Sequence, residues 1–239
     1  MKKDELFLEL QSLGLDLDNK KKKQIEEFCD FLIEENSKTN LTAIKTKEEI
    51  YLKHIYDSLT LVKAMDFKTI KNVLDVGSGA GFPGIVIKIC FPDLEVTLIE
   101  ANNKKCEFLK KAIQKLELRK INVVQERAED YIVQTRETFD LVTARAVANM
   151  RILAELCLPF VKLSGNFIAM KSHIDEEVDD AKEAIELLGG SIKEVITLNL
   201  PIENSLRTLI NIEKIRKTPL EFPRRYDRIL NYPLKKNKS

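Results

Sequence analysis

Apolar side chains recur at helical spacing through the first 66 residues. Leu6, Leu8, Leu10 and Leu13 form a short apolar segment ahead of Gly14. Ile25, Phe28, Cys29 and Leu32 then fall at i, i+3, i+4 and i+7, one face of a helix. Thr46 and Glu49 have capping-box spacing, in which each residue satisfies a free N–H of the other's turn. The helix they open is expected to run through Ile50, His54, Ile55 and Leu59. From residue 71 the pattern changes. Apolar, β-branched runs predict strands at 71–76, 95–100, 121–125, 139–144, 166–170, 192–199 and 207–213. Helices are predicted between them at 84–90, 103–117, 150–161 and 176–188, with Leu109, Ala112, Ile113 and Leu116 as the buried face of the second. Val/Ile-rich strands alternating with helices specify an α/β fold, a mostly parallel sheet covered on both faces. No obvious helix separates the last two strands, so one of them is expected to pair antiparallel. Pro219, Pro223 and Pro233 punctuate the end of the chain, which is not expected to form another packed element.

Composition adds exclusions. With 239 residues, 44% of them apolar and 32% charged, and with 8 Gly and 7 Pro, this is an ordinary globular chain, not a collagen, a disordered segment or a coiled-coil rod. The net charge of +1 hides a polarised molecule: residues 1–66 carry −3, residues 214–239 carry +7 and the body between them −3. Cys29, Cys90, Cys106 and Cys157 are too scattered for a zinc ribbon or a redox motif, and with only His54 and His173 available no metal site is expected. Acids follow the start of the chain at once and no run of about 18 apolar residues occurs, so neither a secretory signal nor a membrane span is expected. Free thiols and no leader point to the cytoplasm.

The most informative stretch is Val73-Leu74-Asp75-Val76-Gly77-Ser78-Gly79-Ala80-Gly81-Phe82-Pro83-Gly84, a strand entering a glycine-rich turn that opens a helix. Gly79, Gly81 and Gly84 match the dinucleotide signature G-x-G-x-x-G, but the first glycine of that signature should close the strand, and here Gly77 does. Asp75 discriminates further. A carboxylate beside a pyrophosphate costs on the order of several kcal/mol at about 4 Å and an effective dielectric near 20. S-adenosyl-L-methionine has no phosphate, and its ammonium and sulfonium reverse the sign. Glu100 ends the next strand, 23 residues after Gly77, where an acid accepts hydrogen bonds from a ribose. Either cofactor carries a ribose, so Glu100 supports nucleotide binding without deciding between them.

Asp75 to Gly84 resembles the first motif of class I S-adenosylmethionine-dependent methyltransferases. More narrowly, the chain resembles the glucose-inhibited division protein B family, which methylates guanine N7 in small-subunit ribosomal RNA. The segments that carry this are Asn40-Leu41-Thr42, His54-Ile55-Tyr56-Asp57-Ser58-Leu59, Gly79-Ala80-Gly81-Phe82-Pro83-Gly84, Arg127-Ala128-Glu129 and Thr143-Ala144-Arg145-Ala146-Val147-Ala148. The resemblance implies a doubly wound, seven-stranded, Rossmann-like sheet. It also implies that Gly77 and Phe82 line the cofactor pocket, that Ala128 and Glu129 lie beside the adenine, and that Arg145 stands at the active-site end of the fourth strand. The implied target is a guanine near the 530 loop of 16S ribosomal RNA, as free RNA or in the 30S subunit.

Three parts are expected: a helical region over 1–66, a methyltransferase domain over 67–215 and a basic tail over 216–239. In the methyltransferase domain, Asp75, Gly77 and Gly79 are expected to shape the methionine pocket, and Arg145 to border both cofactor and base. Guanine N7 carries an in-plane lone pair and no proton, so attack on the methyl carbon needs alignment more than a base or nucleophile. Neither an Asn-Pro-Pro-Tyr type segment nor a Pro-Cys motif is present. In the tail, Arg224, Arg225, Arg228, Lys235 and Lys236, with Phe222, Tyr226 and Tyr232 interleaved, form a candidate RNA-binding segment. His54 and Asp57 read as a local hydrogen-bonded pair, and His173 as a loop residue. A monomer is expected. The rival functions are a nicotinamide-dependent oxidoreductase and a non-catalytic ribosome-assembly factor that retains the fold.

Overall fold

A computed structural model describes residues 1–145, 148–172 and 177–234. The N-terminal quarter is helical. Helix α1 spans Lys3–Ser12 and α2 spans Asn19–Thr39. Asp18 caps α2 by accepting from the Lys21 N–H at 2.8 Å, and the Ile25, Phe28, Cys29 and Leu32 stripe is buried. Thr46 caps α3 (Lys47–Ile50): its hydroxyl accepts from the Glu49 N–H at 3.3 Å and donates to the Glu49 carboxylate at 2.9 Å. The continuation differs from the plain helix that the spacing predicts. Tyr51–Tyr56 widens into a π-helical turn, followed by α4 (Asp57–Leu59) and a 3₁₀ turn over Thr60–Lys63. Such wide turns recur at functional sites, and this one carries the buried His54 just ahead of the buried Asp57.

The remaining elements are β1 (Asn72–Val76), α5 (Gly84–Cys90), β2 (Glu95–Ile99), α6 (Asn103–Lys115), β3 (Ile121–Val124), α7 (Ala128–Thr135), β4 (Phe139–Arg145), α8 (Met150–Cys157), β5 (Val161–Lys171), α9 (Glu177–Leu187), β6 (Gly190–Asn199), β7 (Leu206–Lys214) and α10 (Tyr226–Asn231). The strands form one seven-stranded sheet in the order β3-β2-β1-β4-β5-β7-β6. Strands β1 to β5 are mutually parallel, and β7 runs antiparallel to both β5 and β6.

Alternate residues of the central strands enter opposite cores, as the period of two requires. Val73, Leu141, Ile168 and Leu209 face α1, α2, α5 and α6. Leu74, Val142, Phe167 and Ile210 face α8, α9 and α10. Residues 1–66 therefore share one core with the helices of the first sheet face. The tail also packs, against expectation: Phe222 and Ile229 are buried in the second core, and Arg224 reaches the buried Glu155. Helix α7 has no counterpart in the predicted elements. Strand β5 starts five residues earlier than its apolar run, because Val161 pairs with Phe139 before a register shift restores pairing at Leu141 and Asn166.

The chain runs from β1 outward through β2 and β3, then returns to the other side of β1 for β4 and β5. In open α/β sheets the crevice outside the carboxyl ends of the strands at this reversal is the ligand site.

Candidate active site

The β1–α5 turn lies at that reversal. Most of its N–H groups are bonded within the protein. Those of Gly77 and Ser78 donate to the Ile99 carbonyl at 2.9 and 3.0 Å, and those of Gly81 and Phe82 to the Ser78 carbonyl at 2.8 and 3.2 Å. The Gly79 N–H donates to Glu100 Oε2 at 3.0 Å, and the Gly84 N–H to Asp75 Oδ2 at 3.0 Å. A diphosphate cradle needs such donors directed at the ligand, so this turn is a poor one. At Gly79, φ is +57°, and an added Cβ would meet only the Gly77 carbonyl, at 3.9 Å, because the residue fronts open space. A ligand can approach the backbone there closely.

Asp75 sits behind the turn, not on the pocket wall. Its side chain is fully buried beneath the start of α5, and among the described residues Oδ1 has no hydrogen-bond partner. Burial pushes its carboxyl up to about 7, with the Gly84 N–H and Arg145 acting in the opposite direction. It shapes the turn from below. Glu100 bridges the turn and the start of α6, since its Oε1 also accepts from the Asn102 N–H at 2.8 Å. Ala128 and Glu129 open α7 beyond β3, Ala128 buried and Glu129 half-buried, with burial raising the Glu129 carboxyl. Gly77 to Gly79, Glu100 and the Ala128–Glu129 pair thus follow one another along the carboxyl ends of β1, β2 and β3.

On the β4 side the turn opens into a cavity of about 330 Å³, walled by Gly77 to Ala80, Phe82, Thr42, His54, Asp57, Arg145 and Arg207, with Lys53 and Lys171 at its margin. Arg145 organises it. Nη1 donates to the Lys53 carbonyl at 2.9 Å and to Asp57 Oδ2 at 3.3 Å, and Nη2 donates to His54 Nδ1 at 2.8 Å. The guanidinium lies 5.3 Å from the centre of the Phe82 ring, on which His54 stacks at 4.3 Å and 15°. Asp57 Oδ1 faces Arg207 Nε at 3.2 Å. Burial, reinforced by the Arg145 charge, lowers the His54 pKa to about 3, so the ring is neutral at physiological pH. His54 and Asp57 do not form the local pair their spacing suggests; each is tied to Arg145 instead.

Thr42, Lys53 and Arg207 complete the cavity, and sequence reasoning did not place them there. Thr42 belongs to a segment singled out by resemblance alone. Arg207 opens β7, 62 residues after Arg145, and has no local signature. In the tail, Arg224 is engaged by Glu155 through Nε to Oε1 at 2.7 Å and Nη2 to Oε2 at 2.6 Å, which removes it from the set of free phosphate contacts. Arg225 and Arg228 are exposed on and beside α10, and Arg127 lies 4.7 Å over the Tyr226 ring. Lys235, Lys236, His173 and the Ala146-Val147 pair lie outside the described residues. Among the described residues no cluster of three or more His, Cys, Asp or Glu side chains could hold a metal, and no helix is long and apolar enough to cross a membrane.

Comparison with known proteins agrees with this geometry. Solved structures with the same fold include a precorrin-6y C5,15-methyltransferase from Geobacter metallireducens GS-15, 18% identical, with a TM-score of 0.53 over 72% of this chain and 90% of that one. Another is the M. jannaschii TYW2 in complex with AdoMet, 16% identical, with a TM-score of 0.51 over 61% of this chain and 70% of that one. At these identities the likeness concerns the fold. Sequence relatives are much nearer. The ribosomal RNA small subunit methyltransferases G of Bacillus thuringiensis (strain Al Hakam) and Bacillus anthracis (strain CDC 684 / NRRL 3495) are each 47% identical over 219 residues, covering 90% of this chain and 92% of theirs. The profile of the family described as GidB, rRNA small subunit methyltransferase G, matches residues 21–206. With more than three-quarters of its length matched to that profile, the chain belongs to the GidB family of small-subunit rRNA methyltransferases.

Proposed function

We propose that the protein transfers a methyl group from S-adenosylmethionine to guanine N7 of 16S ribosomal RNA, near the 530 loop. The observation that carries the reading is a turn with most of its N–H groups bonded within the protein that opens directly into a cavity edged by Lys53, Arg145, Lys171 and Arg207. The turn suits a donor without phosphates, and the lysine and arginine donors around the cavity, each held by a carboxylate partner, suit a nucleotide acceptor.

The residues present fit S-adenosylmethionine. Gly77 and Gly79 let the methionine part lie against the backbone. Glu100 uses one lone pair of each oxygen within the protein, which leaves acceptor capacity for two ribose hydroxyls. Ala128 and Glu129 flank the adenine position, and Phe82 closes the pocket between donor and acceptor. When bound, S-adenosylmethionine supplies an electrophilic methyl on a sulfonium that becomes a neutral thioether as the purine takes up the positive charge.

The acceptor half needs no base, and its histidine is not free to act as one. The Nδ1 lone pair of His54 is occupied by Arg145, and burial keeps the ring neutral. An arginine commonly grips guanine through O6 and N7 together, but that grip would block the reacting lone pair. Arg145 is held off the base by Lys53, Asp57 and His54, so N7 stays free while the guanidinium fixes the Phe82–His54 stack. Positioning of this kind can contribute roughly 7–11 kcal/mol. Arg225 and Arg228, with Lys235 and Lys236 further along, would contact RNA phosphates.

Titration calorimetry tests the donor half. Heat is expected with S-adenosylmethionine and with its demethylated product, and none with NAD. Binding of NAD alone would return the oxidoreductase reading.

A further inference from the structure

We infer that the Thr42 hydroxyl is a donor-only contact for the carbonyl O6 of the acceptor purine, and that it selects guanine over adenine. The inference rests on the guanine-N7 reading above and adds the residue that reads the base.

Arg145 Nη2 can only donate, so at 2.8 Å it occupies the lone pair of His54 Nδ1. A neutral imidazole then carries its proton on Nε2, an assignment made from the network. That N–H donates to Thr42 Oγ1 at 3.0 Å. The Ile44 N–H donates to the same oxygen at 3.2 Å. Both lone pairs of the hydroxyl are therefore taken. What remains is its proton, and among the described residues no acceptor lies within reach of it.

The backbone around this hydroxyl is held equally firmly. Asn36 Oδ1 accepts from the Thr42 N–H at 2.9 Å, and Asn36 Nδ2 donates to the Thr42 carbonyl at 3.0 Å and the Ile44 carbonyl at 3.3 Å. Thr42 has no other unsatisfied polar group, and it lies on the wall of the cavity shared with Gly79, Phe82 and Arg145.

Beside N7, guanine presents O6, an acceptor, whereas adenine presents the N6 amino group, a donor. A hydroxyl that can only donate pairs with the first and leaves two donors opposed with the second. One hydrogen bond to O6 from Thr42 also leaves N7 untouched, which a bidentate arginine would not.

The test uses single-turnover methylation of 30S particles reconstituted with guanine, 2-aminopurine or adenine at the target position. Wild type is compared with Thr42→Val and Thr42→Ser. 2-Aminopurine keeps N7 and lacks O6. Thr42→Val is expected to slow transfer to guanine by about tenfold or more, and Thr42→Ser to restore it to within about threefold. On 2-aminopurine, wild type and Thr42→Val should agree, and the preference for guanine over adenine should shrink in Thr42→Val. An equal loss on guanine and 2-aminopurine would make Thr42 a structural prop for His54 and Ile44 and overturn the inference. So would an unchanged rate on guanine. If wild type places no methyl on guanine N7, the underlying reading fails, and this one with it.

Discussion

Two buried ion-pair clusters sit on opposite sides of the sheet, and they differ in what they leave unsatisfied. On the α8 side, Glu155 is fully buried, and both oxygens are filled by Arg224, through its N–H at 3.0 Å, Nε at 2.7 Å and Nη2 at 2.6 Å. Lys214 nearby directs its three donors to the Leu158 carbonyl at 2.7 Å, Thr218 Oγ1 at 2.6 Å and Glu137 Oε1 at 3.3 Å. None of these groups lines the cavity beside the turn. Around Arg145 the charges are as well paired, yet they surround open space, and among the described residues the Thr208 hydroxyl on that wall has no hydrogen-bond partner, while the Thr42 hydroxyl meets the His54 ring and the Ile44 N–H. Burial of charge does not by itself mark a site. Unfilled hydrogen-bonding capacity directed into a cavity does.

The contrast can be broken most strongly on the saturated side. Arg224→Ala leaves the Glu155 carboxylate buried without its partner and should cost about 3–5 kcal/mol of stability, read by denaturant unfolding. The affinity of the folded fraction for S-adenosylmethionine should not change, because α10 does not form the turn.

Asp75→Asn tests the buried acid under the turn. The Asp75 pKa is raised from 3.8 to about 7, so the folded state holds a proton that the unfolded state releases. That contribution is complete below about pH 4 and disappears as the pH rises toward 7. Unfolding measured at both pH values should therefore show the Asn variant gaining on wild type with increasing pH, by about 3 kcal/mol. A gap between the two proteins that is independent of pH would contradict this.

Arg145→Leu sharpens the other side. Methyl transfer should fall by about a hundredfold, with a smaller loss of stability than in Arg224→Ala, since Arg207 still faces Asp57. Steady-state kinetics and thermal unfolding of the same preparation separate the two effects. The smallest change is expected from Arg225→Ala with Arg228→Ala. Two lost phosphate contacts should lower the slope of log affinity against log salt by about 1.4–1.8, measured by RNA binding at several ionic strengths.

Much of the frame is legible in the chain because its signals are local. Val73-Leu74, Val96 to Ile99 and Leu141-Val142 are β-branched or apolar on both faces, as strands covered on both sides must be, and the Asp75 to Gly84 turn announces itself by glycine spacing. Helix α7 does not, because only Ala128 and Ile132 of its eight residues are buried. The packing of the tail depends on a partner 69 residues away. Its one available signal was Glu155, an acid inside the apolar run Ile152 to Phe160, where burial demands a cation. The acceptor side of the site was the least readable. Thr42, His54, Arg145 and Arg207 come from four separate segments, and the π-helical turn that presents His54 has no sequence period of its own.

The central claim is that this cavity delivers a methyl group to guanine N7. Purified protein, unmethylated 30S subunits and S-adenosylmethionine carrying a labelled methyl group should yield, after nuclease digestion of the RNA and mass spectrometry of its fragments, one labelled 7-methylguanosine within the 530-loop fragment. Label on any other atom or base, or RNA that stays unlabelled while the protein binds the donor, would contradict it.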